Sequence, residues 1–294
     1  MTSRPRSSTP QMLTGVARAK INLYLHVTGR RSDGYHLLDS LVVFADYGDK
    51  LTVESDSSLS LEISGPFSAG IPATDDNLIL KAARLLQENT AEKKGAKIRV
   101  VKNLPIAAGI GGGSADAALA LQLLDKLWET GLFDRQLADL GLSLGADVPV
   151  CLYGKPTIMT GVGEQLSSGL IIPKIHIILV NCNISVSTAD VFRHLEISNA
   201  PKSGLNVKEG NEADLISALQ RTGNDLQAPA FQIAPQIESV IDEIAGETGC
   251  QLARMSGSGA TVFGLFETAK AARNAAESIQ SRHPDWWVRA TVIS

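Results

Sequence analysis

Four glycines occur within five positions in the stretch LPIAAGIGGGSADAALAL, residues 104–121, immediately before an alanine- and leucine-rich segment. Backbone N–H groups without side chains around them can surround an anion, and the N-terminus of a following helix adds unpaired donors and a positive dipole end. The hydroxyl of Ser114 could cap this helix or contact a phosphate. The stretch therefore predicts a phosphate-binding loop; the alternative is a glycine-rich turn that serves only close packing.

Two known phosphate loops fit this stretch less well. A Walker A loop requires Lys-Ser or Lys-Thr after its last glycine, whereas Gly113 is followed by Ser114 and Ala115 and the loop contains no lysine. A dinucleotide-binding fingerprint requires a third glycine where Ser114 stands and an acidic residue about 20 positions later. Asp134 has that spacing, but no strand is predicted to end there. Both kinds of loop are therefore disfavoured. Without the dinucleotide-binding fingerprint, a dinucleotide-dependent oxidoreductase is disfavoured as well.

Lysine, asparagine and aspartate in two other stretches could serve phosphoryl transfer. Lys20 and Asn22 share the polar face of one predicted strand, about 6–7 Å apart along it. A lysine beside a transferring phosphoryl group can neutralise developing charge or hold a catalytic carboxylate. Asp147, in GADVPV, could be a general base for a hydroxyl nucleophile. The alternatives are a solvent-facing lysine at position 20 and a helix-capping or turn aspartate at position 147.

Aromatic and small residues mark two further candidate regions. Tyr35 and His36 follow an Asp-Gly turn, where a ring could stack on a base and an imidazole could donate to it, or where both could only pack. A second small-residue loop, residues 256–259, could support the first loop, contact phosphate, or simply connect two strands. The remaining histidines lack the spacing of metal ligands, so we predict no transition-metal site; they are His26, His176, His194 and His283.

Hydrophobic periodicity places these groups on regular elements. Apolar and polar residues alternate over residues 17–27, which predicts a half-buried strand with Lys20 on its polar face. Residues 96–103 predict a strand that enters the glycine loop, and the next helix carries an apolar stripe that leaves Asp116 outside it. In the second half, the order strand, helices, strand, strand, helix, strand indicates a ferredoxin-like split βαβ sandwich. We predict a flexible tail over residues 1–14 and two domains, residues 15–168 and 169–294.

The composition disfavours several classes of protein. The 294 residues are 44% hydrophobic and 20% charged with a net charge of −4, as in a globular protein without a basic field for nucleic acid. The three cysteines are far apart and form no CxxC pair, so a reducing cytoplasm is expected, with neither a zinc site nor a disulfide framework. No apolar run approaches about 18 residues, and the first residues lack the apolar segment of a secretory signal.

Several stretches, in the same order along the chain, resemble motifs of the galactokinase, homoserine kinase, mevalonate kinase and phosphomevalonate kinase (GHMP) superfamily. PIAAGIGGGSADAA resembles its phosphate loop, and MSGSGATVFGLF its C-terminal glycine motif. AKINLYLHVTGRRSDGYHLLDSL and GADVPVCLYG are similar to those of members that phosphorylate a cytidine-diphosphate-linked methylerythritol. The resemblance, from about Val16 onwards, implies an α+β, two-domain GHMP kinase fold with an N-terminal ribosomal-protein-S5-domain-2-like domain and a C-terminal ferredoxin-like α/β sandwich.

The resemblance also implies a reaction and the residues that perform it. ATP, with Mg²⁺ as its counter-ion, would phosphorylate the 2-hydroxyl of the acceptor in the non-mevalonate route to isoprenoid precursors. Asp147 matches the general base, and Lys20 the lysine that positions it and neutralises charge. The implied ATP-binding residues are Pro105, Ala107, Ala108, Gly109, Ile110, Gly111, Gly112, Gly113, Ser114 and Ala115. The implied acceptor-binding residues are Asn22, Tyr35 and His36 for the cytosine, Phe192 as a second aromatic, and Thr188 for the phosphates.

The implied partners are ATP and a small acceptor, with neither nucleic acid nor membrane, for a monomer or weak homodimer in the cytoplasm. Homoserine and mevalonate kinases are disfavoured because their acceptors have no base to stack on Tyr35. A nucleic-acid-binding S5-like module is disfavoured by the acidic net charge. The loop often reads Gly-Gly-Ser-Ser in these kinases, whereas Ala115 follows Ser114 here, so we expect no role for a second loop hydroxyl.

Overall fold

The structure, a computed structural model, describes residues 11–167, 169–196 and 212–294. The strands are β1 (Met12–Arg30), β2 (His36–Asp56), β3 (Leu59–Ser64), β4 (Gly95–Val101), β5 (Thr157–Gly161), β6 (Gln165–Leu166), β7 (Ile175–Asn181), β8 (Cys250–Met255), β9 (Val262–Phe266) and β10 (Trp287–Ile293). The helices are α1 (Leu78–Thr90), α2 (Gly112–Trp128), α3 (Asp134–Leu144), α4 (Val148–Tyr153), α5 (Thr188–Arg193), α6 (Glu212–Gln220), α7 (Gln227–Ile233), α8 (Gln236–Ala245) and α9 (Ala269–Arg282).

The end of the predicted tail is wrong, because β1 already begins at Met12, inside the range 1–14. The alternation of β1 lets it pair with β2 from its first residue. That pairing gives regular structure to residues 12–14, where the composition alone suggested a flexible tail. Residues 1–10 of the predicted tail, and residue 168 at the predicted domain boundary, lie outside the described residues. The boundary itself stays a prediction.

β1 and β2 form a long antiparallel hairpin that organises the first half of the chain. The first part of β2 also pairs with β5 and its last part with β4, and β3 runs parallel to β4. Helices α1, α2 and α3 cover this sheet and bury the alanine and leucine side chains of α2 together with apolar residues of β2 and β4. The glycine loop, which connects β4 to α2, is therefore anchored at both ends in one hydrophobic core.

The second half forms an antiparallel sheet with the order β10-β7-β9-β8. The helices between β7 and β8, together with α9, complete the predicted β-α-β-β-α-β arrangement of a ferredoxin-like sandwich. Its last strand joins the first half, since Ile293 pairs with Ala45 of β2. Within the described ranges, no helix has the length and apolar character needed to cross a membrane.

The prediction that β1 is half-buried is wrong for its polar face. Lys20, Asn22 and Tyr24 are all buried, at 4%, 1% and 0% exposure, and so is His26 at 8%. Alternation distinguishes two faces of a strand but does not say what covers the polar one. Here loops from distant parts of the chain cover it, and this placement creates the candidate active site.

Candidate active site

Loops from both halves of the chain form hydrogen bonds with β1 beside its partner β2. The Lys20 N–H donates to the carbonyl of Ile110 in the glycine loop at 2.9 Å. The Asn22 N–H donates to Ser256 Oγ of the second glycine loop at 3.1 Å. Further along, the Leu25 N–H donates to the carbonyl of Gly223 at 3.0 Å. The two glycine loops that the sequence singled out therefore both contact β1, the first at Lys20 and the second at Asn22.

The register of the β1–β2 pair is irregular at this place. It shifts between Arg18 and Lys20 and again between Asn22 and Tyr24. Such bulges re-aim side chains and are common beside active sites. A simple two-residue repeat therefore cannot give the direction in which the Lys20 side chain points.

The first glycine loop lines a cavity of about 450 Å³. Gly109 and Gly111 have left-handed backbone, with φ of 71° and 64°, and Gly111 is the N-cap of α2. N–H groups in the first turn of α2 have no acceptor within the helix, so they remain available to an anion. The predicted residues that line the cavity are Pro105, Ala107, Ala108, Gly109, Gly111, Gly112, Gly113 and Ser114. The other two, Ile110 and Ala115, are buried in the core.

The second glycine loop holds the first in place. Ser256 Oγ donates to the carbonyl of Gly109 at 3.1 Å, and the Thr261 N–H donates to the carbonyl of Ala108 at 3.0 Å. A Cβ at Gly109 would lie 2.4 Å from the Ser256 carbonyl oxygen, so only glycine permits this approach. Of the roles predicted for residues 256–259, support of the first loop is thus confirmed.

Lys20 and Asp147 form an ion pair beside the glycine loop. Lys20 Nζ donates to Asp147 Oδ2 at 2.8 Å, and the lysine side chain is 5% exposed whereas the carboxylate is 38% exposed. Asp147 is the N-cap residue of α4, yet its side chain accepts no capping hydrogen bond from that helix. The solvent-facing alternative for Lys20 is therefore wrong, because the lysine is buried. Asp147 does stand in the turn before α4, as its alternative proposed, but its side chain does not cap the helix; it accepts from the Lys20 ammonium and stays partly exposed.

Asn22, two residues after Lys20 on β1, leaves one buried polar atom without a partner among the described residues. Its Nδ2 donates to Ser40 Oγ at 2.8 Å, and Ser40 in turn donates to the carbonyl of Tyr24. Asn22 Oδ1 is buried and has no hydrogen-bond partner among the residues that the structure describes. A buried acceptor without a partner is unfavourable by about 1–3 kcal/mol, so this oxygen is well suited to accept from a ligand hydroxyl.

The other predicted acceptor-binding residues lie in the β1–β2 turn, at the start of β2 and in α5. Tyr35 is 63% exposed in the β1–β2 turn, while His36 at the start of β2 stacks on Phe192 of α5, with ring centroids 4.8 Å apart. Burial, and then the positive charge of Arg30, lower the pKa of His36 below its ordinary 6.5, so the neutral imidazole dominates at neutral pH. Thr188 lines the cavity, and its Oγ1 lies 2.8 Å from Ser258 Oγ. Phe192, predicted as a second aromatic for the cytosine, thus packs directly on the His36 ring in this structure.

A buried ionic triad, Asp49–Lys102–Asp116, lies under the glycine loop and was not predicted. Lys102 Nζ donates to Asp49 Oδ2 and to Asp116 Oδ2, and Asp49 Oδ1 accepts from the N–H of Leu104 at 2.9 Å. The exposures of Lys102, Asp49 and Asp116 are 6%, 0% and 3%. Asp116, predicted to lie outside the apolar stripe of α2, is nevertheless buried, and Lys102 pairs with it there. The only sequence signal was a lysine directly before the loop.

Comparison with known proteins identifies the family. The model described as GHMP kinases N terminal domain matches residues 77–155, and GHMP kinases C terminal matches residues 206–285. A 4-diphosphocytidyl-2-C-methyl-D-erythritol kinase from Dinoroseobacter shibae is 50% identical over 98% of this chain and 97% of its own. One from Parvibaculum lavamentivorans is 47% identical over 95% of this chain and 97% of its own. The chain belongs to the 4-diphosphocytidyl-2-C-methyl-D-erythritol kinase family.

Solved structures agree with this membership. A crystal structure of 4-(cytidine 5'-diphospho)-2C-methyl-D-erythritol kinase is 33% identical, with a TM-score of 0.77, covering 96% of this chain and 99% of its own. Homoserine kinase from Cytophaga hutchinsonii, at 16% identity and a TM-score of 0.71, covers 99% of this chain and 97% of its own and shares the fold. The predicted two-domain GHMP kinase fold is confirmed. The comparisons therefore establish the kinase family and the fold of this chain.

Proposed function

We propose that this chain transfers the γ-phosphoryl group of ATP to the 2-hydroxyl of 4-diphosphocytidyl-2-C-methyl-D-erythritol, a step in the supply of isoprenoid precursors. The family supports the kinase activity and the acceptor. The observation that carries the assignment of roles is the 2.8 Å pair of Lys20 Nζ and Asp147 Oδ2, exposed on its carboxylate side beside the glycine loop. ATP enters with Mg²⁺ as its counter-ion, and we assign no protein ligand to that ion.

The cavity provides for both ends of ATP. The glycine loop and the first turn of α2 would bind the phosphates through backbone N–H groups. Further lining residues give the cavity an apolar wall that suits a flat base: Ile63, Ile71, Pro72, Leu78 and Val100. ATP would therefore lie with its adenine against this wall and its γ-phosphate near Gly111, where an added Cβ would meet the Lys20 side chain at 3.1 Å.

The acceptor would approach from the side of Tyr35 and His36. The exposed Tyr35 ring would stack on the cytosine, and the neutral His36 would form a hydrogen bond with it, backed by Phe192. Thr188 lies between this side and the cavity and would contact the acceptor's phosphates. Asn22 Oδ1 would accept a hydrogen bond from an acceptor hydroxyl.

Catalysis would then depend on positioning and electrostatics. Asp147 would accept the proton of the attacking 2-hydroxyl, while the hydroxyl oxygen bonds to the γ-phosphorus and ADP leaves. Lys20 would hold Asp147 in place and offset the negative charge on the transferring group; because it is almost fully buried, its charge is weakly screened. The cytoplasmic location and the oligomeric state stay predictions from the sequence.

Asp147→Asn tests the assignment of the general base. The amide cannot accept the hydroxyl proton, so we expect turnover to fall by about 10²–10⁴-fold while ATP binding stays within twofold. A coupled ADP-release assay measures turnover, and calorimetric titration measures ATP binding. Unchanged turnover would refute the role of Asp147. Comparing the cytidine-diphosphate-linked acceptor with mevalonate and homoserine in the wild type tests the acceptor itself.

A further inference from the structure

The triad Asp49–Lys102–Asp116 leaves one carboxylate oxygen over. Asp49 uses both oxygens, one for Lys102 and the other for the N–H groups of Asn103 and Leu104. Asp116 uses Oδ2 for Lys102, whereas its Oδ1 is buried and has no hydrogen-bond partner within the part of the chain that the structure describes. Asp116 also lines the cavity of the glycine loop, so its carboxylate charge lies beside any ligand that binds there.

The triad carries a net negative charge, which is unfavourable beside a cavity that binds an anion. Two carboxylates and one ammonium leave one negative charge in excess, in a buried place where charges are weakly screened. Among the described residues that line the cavity, Lys102 carries the only positive charge, and the triad already uses it. Asp76, also in the lining, adds a carboxylate at the exposed mouth, where it pairs with Lys81. A triphosphate entering this cavity would meet an ionised Asp116.

We propose that the binding of ATP is coupled to the uptake of one proton by Asp116, which makes the triad neutral and turns Oδ1 from an acceptor into a donor. The proton comes from solvent and resides on Oδ1, while Lys102 keeps its bond to Oδ2. This inference rests on the proposed ATP site and adds to it a residue that senses nucleotide charge.

The surroundings of Asp116 favour uptake of this proton near neutral pH. Burial is the largest influence and raises the pKa of Asp116 to about 7, with Lys102 lowering it and Asp49 raising it. From α4, the partly buried Cys151 thiol lies within electrostatic reach of Asp116; desolvation raises the pKa of that thiol, which keeps it neutral. On the other side of the loop, Lys20 and Asp147 neutralise each other. A further anion in the cavity would raise the pKa of Asp116 again.

Calorimetric titration with MgATP at pH 7.5, in two buffers with different enthalpies of ionisation, counts the protons taken up on binding. If binding raises the pKa of Asp116 by about one unit, from about 7 to about 8, the wild type takes up about half a proton. Its Kd for ATP then rises about sixfold from pH 6.5 to pH 8.5. Mg²⁺ is kept saturating so that the nucleotide itself contributes little to the titration.

Asp116→Asn keeps the shape and the bond to Lys102 but cannot titrate, so we expect no net uptake and a flat pH dependence of Kd. Asp139→Asn, the same change on the exposed face of α3, should behave as the wild type does. Binding of ATP to the wild type without proton uptake would overturn the inference, and so would equal uptake by Asp116→Asn. The wild-type measurement decides even if Asp116→Asn fails to fold. If ATP does not bind to the wild type at all, the proposed function fails instead.

Discussion

At the scale of single residues, the surroundings of a side chain decide its exposure and its role in the candidate site more than its type does. Lys20 would be solvent-facing on an isolated strand, but here its ammonium is buried and paired, so the positive charge stays fixed beside the cavity. Tyr35 shows the opposite case, since a large ring is left 63% exposed. An exposed aromatic side chain at the edge of a candidate site suits stacking on a base, because it presents apolar area at little cost in conformational entropy.

Tyr35→Ala should weaken acceptor binding much more than ATP binding. Loss of base stacking is worth about 1–3 kcal/mol, which corresponds to an increase of about 5- to 150-fold in KM for the cytidine-diphosphate-linked acceptor. The measurement is a steady-state assay in which each substrate is varied in turn. Phe133→Ala is the matched control, because Phe133 is 78% exposed on a surface away from the cavity. Equal increases in both KM values for Tyr35→Ala would contradict a cytosine site at this turn.

At the scale of elements, the two glycine loops act as one unit. The first contributes the N-terminus of α2 and the second fixes its path through Ser256 and Thr261. Where the two loops meet, their backbones approach more closely than a Cβ at Gly109 or Gly257 would allow. The glycines therefore serve the interlock between loops as well as the approach of phosphate.

Gly109→Ala should lower the free energy of unfolding by roughly 1–3 kcal/mol from backbone strain alone, because φ is 71° and the new Cβ would meet the Ser256 carbonyl oxygen. Gly113→Ala is the matched control for stability: no atom lies within 4 Å of its Cβ, and alanine is favoured over glycine within α2. Urea unfolding of both variants measures the difference. Equal stability of the two would show that the loops do not interlock as described.

At the scale of the whole molecule, β1 links the two halves of the chain. Arg254 of β8 donates through Nη1 to the carbonyl of Leu23 in β1 at 2.7 Å. Through Nη2 it donates to the carbonyl of Leu219, in the last turn of α6, and to that of Thr222, just after α6. The side chain is 7% exposed, and burial lowers its pKa to about 10. A guanidinium with this many carbonyl partners keeps the C-terminal sheet at a fixed distance from the strand that carries Lys20.

Arg254→Lys should lower the free energy of unfolding by roughly 1–3 kcal/mol, because an ammonium cannot reach all of these carbonyls and at least one remains buried without a donor. Arg221→Lys makes the same change at an exposed position and should have little effect. Chemical denaturation measures both. If the midpoint of urea unfolding is the same for Arg254→Lys as for the wild type, the guanidinium does not hold the two halves together.

Local patterns predicted a large part of this molecule. The glycine loop, the strand before it, the helix after it and the ferredoxin-like order follow from turn chemistry and periodicity, which act between residues close in the chain. The motifs resembled one family, and the comparisons confirmed it. Local sequence did not predict the triad, because Asp49 lies within β2, Lys102 follows β4 and Asp116 lies in α2, and the three meet only after the sheet and α2 have packed.

The sequence by itself thus determined the family, the elements and the residues around which the site is built. Only the tertiary structure decided that Lys20 is buried against Asp147, that Ser256 supports Gly109, and that Asp116 keeps an unpaired oxygen at the cavity. The physical reason is that burial and ionic pairing depend on which distant segments come together. Periodicity along one strand or one helix does not contain that information.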